Sequence, residues 1–332
     1  MPEVGTAKAM DLRGLLACPM CHGRLSWSPD EARCDGCGVR YPIVDGIPVL
    51  VFDRAAADHD ELDHEHGHGH ADAGSHKDRQ AAHFDREMAA EFEITRPHGT
   101  ARLYEWLLRE KFRRAVAPLR DRLAGRTALV VCGGSGMDAE FLHECGAAVI
   151  TSDISVGAAK RALERARRGG FALLSIVADV ERLPFRDASL DLAYVHDGLH
   201  HLEGPDVGIL EMARVARAVS ITEPARAAGT QLAVRLGLAL NKEESGNVVA
   251  RLRPKDVSVQ LAKAGLRTLS GGRYLMYYPH EPGRVFGLLS RPGLFALART
   301  SWRAGNAVIG RFGNKMTVVA ERADQPTPRP AP

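Results

Sequence analysis

The chain of 332 residues is long enough for one large domain with a small one beside it. Its 45% hydrophobic and 26% charged residues exclude wholesale disorder, and no apolar run reaches the roughly 18–20 residues that span a bilayer. With 44 Lys plus Arg against 41 Asp plus Glu, the net charge of +3 is too balanced to announce a nucleic-acid binder. Residues 1–14 hold no apolar core of signal-peptide length, so the expectation is a cytoplasmic protein that is not exported.

Four of the six cysteines fall between residues 18 and 37. Without an export signal, such a cluster reads as metal ligation rather than a disulfide framework. Cys18-Pro-Met-Cys21 and Cys34-Asp-Gly-Cys37 form two CxxC knuckles separated by twelve residues. Each two-residue turn brings a pair of sulfurs to one side, and two pairs complete a closed, tetrahedral Zn2+ site of the structural kind. Arg24–Trp27 and Glu31–Cys34 predict a short hairpin between the knuckles. A segment of roughly forty residues lacks a core of its own, so metal is expected to supply its folding energy. Tyr41-Pro-Ile-Val-Asp-Gly-Ile-Pro-Val-Leu50 then follows. This string resembles the stretch that closes the short zinc-ribbon proteins and domains that partner or precede methyltransferases. The resemblance covers residues 11–52 and implies a docking or stabilising module.

Residues 53–78 are dominated by Asp, Glu, Ala, Gly and His, with His64, His66, His68 and His70 at every second position. So few apolar side chains predict a flexible linker. It is either a solvated tether or a reservoir for zinc, nickel or copper, and composition favours the tether.

From residue 79 the pattern turns globular. Leu103 to Leu123 reads as an amphipathic helix burying Leu103, Leu107, Leu108, Phe112 and Val116. Thr127–Cys132 is an apolar strand that runs into Gly133-Gly134-Ser135-Gly136. A helix over Met137–Glu144 and a strand over Ala147–Asp153 complete the half-Rossmann arrangement, with Asp153 able to accept from ribose hydroxyls. A third strand, Ser175–Asp179, again ends in an acid and is followed by Leu183-Pro184-Phe185. A fourth, Ser189–Val195, leads into His196-Asp-Gly-Leu-His-His-Leu202. Ala218–Pro224 is the fifth, and Lys315–Ala320 the last.

This series resembles the class I S-adenosylmethionine-dependent methyltransferases over residues 127–223. The resemblance implies a Rossmann-like, seven-stranded α/β sheet with helices on both faces, preceded here by the small four-cysteine ribbon. The domain is assigned to residues 79–322, with helical cap insertions near 225–264 and 284–311, and the proline-rich composition of 323–332 predicts a disordered tail. The resemblance further implies that Gly133, Gly134 and Gly136 line the methionine end of the cofactor. Asp153 with Ile154 would hold the ribose, and Asp179 with Val180 would read the adenine. One departure stands out. The family's first motif opens with an acid and then a glycine, whereas this chain has Val130 and Cys132 there, which removes a carboxylate beside the charged end of the cofactor.

Methyl transfer from a sulfonium needs an aligned nucleophile and a base. His196, at the end of the fourth strand, is expected near the methyl group. His200 and His201 follow within a helical turn, and Glu223 closes the fifth strand at the same edge of the sheet. Phe84 to His98, with Phe92, Glu93 and Arg96, is read as a lid. Glu243–Asn247 forms a polar cluster between helical segments 225–240 and 254–264. Residues 284–311 mix Arg284, Arg291, Arg299, Arg303 and Arg311 with apolar side chains, as a cap for an acidic or lipid-like substrate or as a packed insertion.

The leading function is methyl transfer to O, N or activated C of a small molecule. An RNA methyltransferase is the first alternative, though acids offset every arginine of the ribbon, so nucleic acid is not the expected partner. A non-catalytic protein of the same fold is the second, and a homodimer is a further open expectation.

Overall fold

A computed structural model describes residues 12–51, 76–85, 90–226 and 251–323. At its N-terminal end β1 (Leu25–Trp27), β2 (Glu31–Cys34), β3 (Arg40–Val44) and β4 (Ile47–Leu50) form an antiparallel meander. The predicted hairpin is present, with Leu25 opposite Cys34. Between β3 and β4, Asp45 and Gly46 adopt φ of +51° and +80°. Two left-handed residues in a row make the type I′ connection that Asp-Gly favours. The meander does not end at β4, whose Val49 and Leu50 pair in parallel with Val177 and Ala178 of the main sheet.

Three helices, α1 (His76–Asp85), α2 (Ala90–Thr95) and α3 (Arg102–Val116), precede the main sheet. The chain then alternates through β5 (Thr127–Val131), α4 (Met137–Glu144), β6 (Ala148–Asp153), α5 (Val156–Gly169), β7 (Leu173–Ala178), β8 (Leu190–His196), α6 (Pro205–Val215) and β9 (Ala216–Pro224). It finishes with α7 (Pro254–Lys263), β10 (Leu266–Tyr274), α8 (Arg284–Leu289), α9 (Pro292–Ile309) and β11 (Lys315–Arg322). Strand order is β1-β2-β3-β4-β7-β6-β5-β8-β9-β11-β10. The seven strands from β7 to β10 are the expected sheet, with β5 to β9 parallel and β11 antiparallel to both its neighbours. Because β5 sends its neighbours β6 and β8 in opposite directions across the sheet, the crevice at its C-terminal end is where an open α/β sheet binds ligands.

Buried side chains cover both faces. On one, Leu129, Ile150, Ile176 and Ile221 of the sheet share a cluster with Leu16, Leu25, Tyr41 and Leu50 of the ribbon. On the other, Tyr104, Leu108 and Phe112 of α3 pack with Phe141 and Leu142 of α4 and with Val149.

Three boundaries differ from those read off the sequence. The helix expected over Leu103–Leu123 stops at Val116, and a short 3-10 turn follows at Arg120–Arg122. Pro118 removes a donor and clashes with the preceding turn. Helix α1 begins at His76, inside the segment read as linker. Strand β10 was not anticipated. Its Gly271-Gly272 pair breaks the alternation, and a register shift between Thr268 and Ser270 marks a bulge against β11. The histidines at 64–70, most of the helix expected over 225–240, the Glu243–Asn247 cluster and the tail beyond Ala323 lie outside the described residues.

Candidate active site

A cavity of about 1000 Å3 lies along the C-terminal ends of the central strands. Its first wall is the turn after β5. Cys132, in place of the motif's first glycine, holds φ at +50°. Gly133 follows because a Cβ there would meet Thr151 Oγ1 at 2.0 Å. At Gly134 (φ +51°) a Cβ would find no atom within 4 Å, so bare backbone faces open space. The amide of Gly134 donates to Asp153 Oδ2 at 2.9 Å, and Ser155 donates to Oδ1 at 3.1 Å. Burial pushes the Asp153 carboxyl up despite these donors. Asp179 accepts from the Glu181 amide at 2.9 Å and from Lys77 at 2.5 Å. Ile154 and Val180 line the same wall.

Helices α1 and α2 close one side, with Phe84, Glu93 and, just past α2, Arg96 on the cavity, while Phe92 packs beside Tyr104 instead. This wall reaches further back, to Lys77 and Gln80. Helix α5 holds it: Arg161 donates to the Phe84 carbonyl at 2.8 Å and Arg165 to that of Glu93 at 2.6 Å. Asp85 in turn accepts from Ser155 Oγ and the Gly157 amide at 2.6 and 2.7 Å.

The far wall is polar and buried. Glu223, with no exposed surface, accepts from the amides of Gly198 and Leu199 and from His200 Nδ1, all within 2.9 Å. His196 Nδ1 meets Asp138 Oδ2 at 2.9 Å, and its Nε2 lies 3.1 Å from the Tyr278 hydroxyl. Lys111 donates to that hydroxyl at 2.7 Å and contacts the His196 ring. Burial pushes the Lys111 ammonium down to about 7, although Asp138 and Asp197 favour its charge. Burial works against the Asp197 carboxylate, but Lys315 and Lys111 hold it below its ordinary value. Burial raises Tyr278 well above the usual phenol range.

The sequence-predicted His196, His200, Asp153 and Asp179 therefore come together on one cavity, and Glu223 stands behind His200. Gly136 stands apart from the lining, capping α4 at φ +80° against Ala162. Arg284, Arg291, Arg299, Arg303 and Arg311, read as part of a cap or of a packed insertion, contribute nothing to the cavity lining. Sequence reasoning missed Lys111, Asp138, Asp197, Tyr278 and Lys315. Lys111 gave a signal, since it interrupts the apolar stripe of α3 yet is fully buried. Val130, in the place of the motif's acid, is packed among Leu108, Phe112 and Tyr194. A carboxylate that does line the cavity is Asp138, two residues beyond Gly136, which accepts from the Tyr194 hydroxyl at 3.0 Å.

In the ribbon, the sulfurs of Cys18, Cys21, Cys34 and Cys37 lie within 4.8 Å of one another. Cys18 and Cys37 are 3.7 Å apart, Cys21 and Cys34 3.4 Å.

Residues 129–220 match the family model described as a methyltransferase domain, and residues 13–46 that of a Trm112p-like protein. A UPF0434 protein of Ectopseudomonas mendocina (strain ymp) is 48% identical over 50 residues, 14% of this chain and 82% of that relative. A demethylmenaquinone methyltransferase of Thermobifida fusca (strain YX) is 30% identical over 113 residues, 33% of this chain. The match spans 47% of that relative, so the chain covers about half its length. Among solved structures, magnesium protoporphyrin IX methyltransferase of Synechocystis PCC 6803 with bound SAH superimposes with a TM-score of 0.53 at 15% identity. It covers 74% of this chain and 100% of its own, a likeness of fold.

Proposed function

This chain belongs to the Trm112p-like family through its ribbon and carries a methyltransferase domain, and we propose that it transfers a methyl group from S-adenosylmethionine to a small-molecule acceptor. The observation that carries this reading is the single cavity on which a bare glycine turn, two strand-end carboxylates and a carboxylate-backed histidine meet. Its volume suits a nucleoside cofactor and a modest acceptor together, at the top of the roughly 300–1,000 Å3 range of ligand pockets.

The residues fit the cofactor. The open face at Gly134 admits close approach of a ligand to backbone. Asp153 keeps acceptor capacity beyond its two amide donors, as ribose hydroxyls require. Asp179 and Val180 sit where an adenine edge would be read, and Asp138 brings negative charge to the sulfonium end. The bound cofactor supplies an already activated methyl group.

The protein's work is to bind, orient and take a proton. Glu223 accepts the His200 Nδ1 proton, which fixes the tautomer and makes Nε2 the basic nitrogen. We assign His200 as the base for the acceptor's proton and Glu223 as its positioning residue. His196, held by Asp138, Tyr278 and Lys111, orients the acceptor. Helices α1 and α2 exclude water.

The four cysteines fit zinc. Tetrahedral Zn–S bonds of about 2.3 Å set sulfurs roughly 3.8 Å apart, close to the two spacings present.

Calorimetric titration with S-adenosylmethionine and S-adenosylhomocysteine tests the cofactor. Micromolar binding of both is expected, weakened by about 1–3 kcal/mol in Asp153→Ala through loss of hydrogen bonds to a charged acceptor. Binding of neither would leave a non-catalytic fold. Tritiated methyl appearing in RNA rather than in a metabolite extract would replace the small-molecule acceptor.

A further inference from the structure

Among the described residues, exposed large hydrophobic side chains concentrate on and beside helices α8 and α9. Of the 13 large hydrophobic residues exposed among those described, eight lie between Tyr277 and Phe312, with Val285 66%, Leu297 63% and Val308 73% exposed. On α9, Phe295, Ala298 and Trp302 pack against Leu103, Leu107 and Trp106. A second stripe, Leu294, Leu297, Ser301, Ala304 and Val308, follows helical spacing on a different side and faces outward. A helix apolar on both sides normally lies buried, yet among the described residues nothing covers this stripe.

Charge says what fits there. Between Glu281 and Glu321 the sequence has no acidic residue, while Arg284, Arg291, Arg299, Arg303 and Arg311 lie on or beside these helices. A second copy of this face would oppose arginine to arginine with no counter-charge. A nucleic acid asks for aromatic platforms, whereas the outward stripe is aliphatic. Exposed aliphatic side chains on helices whose charged residues are all arginines match the boundary of an anionic bilayer. No described helix is long and apolar enough to cross a membrane, so the helices would lie in its surface. The face also adjoins the cavity: Phe286 of α8 packs edge-on to Tyr104 at 6.1 Å, and Tyr104 to Tyr278 at 6.2 Å.

We propose that α8 and α9 seat this protein peripherally on an anionic lipid surface. The proposal stands independently of methyl transfer, because its test reads binding alone. The zinc-loaded full chain is sedimented with vesicles of phosphatidylcholine and phosphatidylglycerol in equal parts, or of phosphatidylcholine alone. Binding to the anionic vesicles is expected, about tenfold or more above the neutral ones and weakened by salt. Leu297→Glu/Val308→Glu should lower it about tenfold or more. If that variant loses its near-ultraviolet circular dichroism, Arg291→Gln/Arg303→Gln carries the test, with an expected loss of roughly tenfold. No binding, equal binding to both vesicles, or binding unchanged in the folded variants would overturn the proposal. So would displacement by equimolar single-stranded RNA, or a dimer in solution that Leu297→Glu dissolves.

Discussion

Cys132 and Gly198 explain each other. A left-handed backbone costs an L side chain about 1–2 kcal/mol, and Cys132 bears it at φ +50°. Across the crevice, a Cβ on Gly198 would lie 2.3 Å from Cys132 Cβ and 3.2 Å from Val195. Gly198→Ala should therefore cost at least about 2 kcal/mol in the native chain and less than half of that after Cys132→Gly, as read from a double-mutant cycle by urea denaturation. Equal losses in both backgrounds would show that the two positions do not collide. Lys111 belongs to the same scale. Its ammonium sits at about 7 when folded and near 10.4 when unfolded. Between these values the unfolded chain binds a proton that the folded chain does not, so stability falls as pH drops through the window and stays lost below it. Relative to Lys111→Met, the native protein should gain on the order of a few kcal/mol from pH 7 to pH 10. A difference independent of pH would mean that the ammonium keeps its charge in place. Lys111 was visible in the sequence as a cation on an apolar stripe. Tyr278 and Lys315 were not, because only the pairing of β11 beside β9 brings residues so distant in sequence to His196 and Asp197.

The parallel strands read clearly because each is a short apolar run that ends at or just before Gly, Asp, His or Glu. The cysteine knuckles read clearly because thiolate spacing leaves few alternatives. The partner of β4 did not, since the apolar pair Val49-Leu50 serves an isolated ribbon as well as a sheet edge. In the structure Leu50 lies opposite Ala178, the residue before Asp179. The Ala17 amide adds a bond to the Pro184 carbonyl at 2.8 Å, within Leu183-Pro184-Phe185. Strand β4 thus braces the backbone that carries the proposed adenine-reading residues. Cys34→Ser should release the metal, loosen β4 from β7 and weaken S-adenosylmethionine binding by roughly tenfold, the worth of one or two hydrogen bonds. Calorimetry beside a chromophoric zinc assay checks this. Metal loss with full cofactor affinity would confine the ribbon to its own fold.

At the scale of the molecule the question is whether ribbon and sheet are one folding unit or two. Composition suggests two, because a soluble, acidic segment separates them in sequence. Burial argues for one. Leu16, Cys18, Ala32 and Cys34 are each at most 3% exposed and share a cluster with Leu183, Phe185 and Leu190 rather than closing a core among themselves. A ribbon this small cannot reach stability by its own apolar area, so whatever a metal bound at the four cysteines contributes would be transmitted through that shared cluster. Urea denaturation of the zinc-loaded chain should then give a single transition, with Trp27 fluorescence, read in a Trp106→Phe/Trp302→Phe background, and far-ultraviolet circular dichroism changing together. A chelator should lower the one midpoint, since removing a ligand bound only by the folded state destabilises everything cooperative with it. An early, separate transition of the ribbon, with the later one unmoved by chelator, would mean that the strand pairing at β4 and β7 is too weak to couple them, and that the two modules share a sheet without sharing stability.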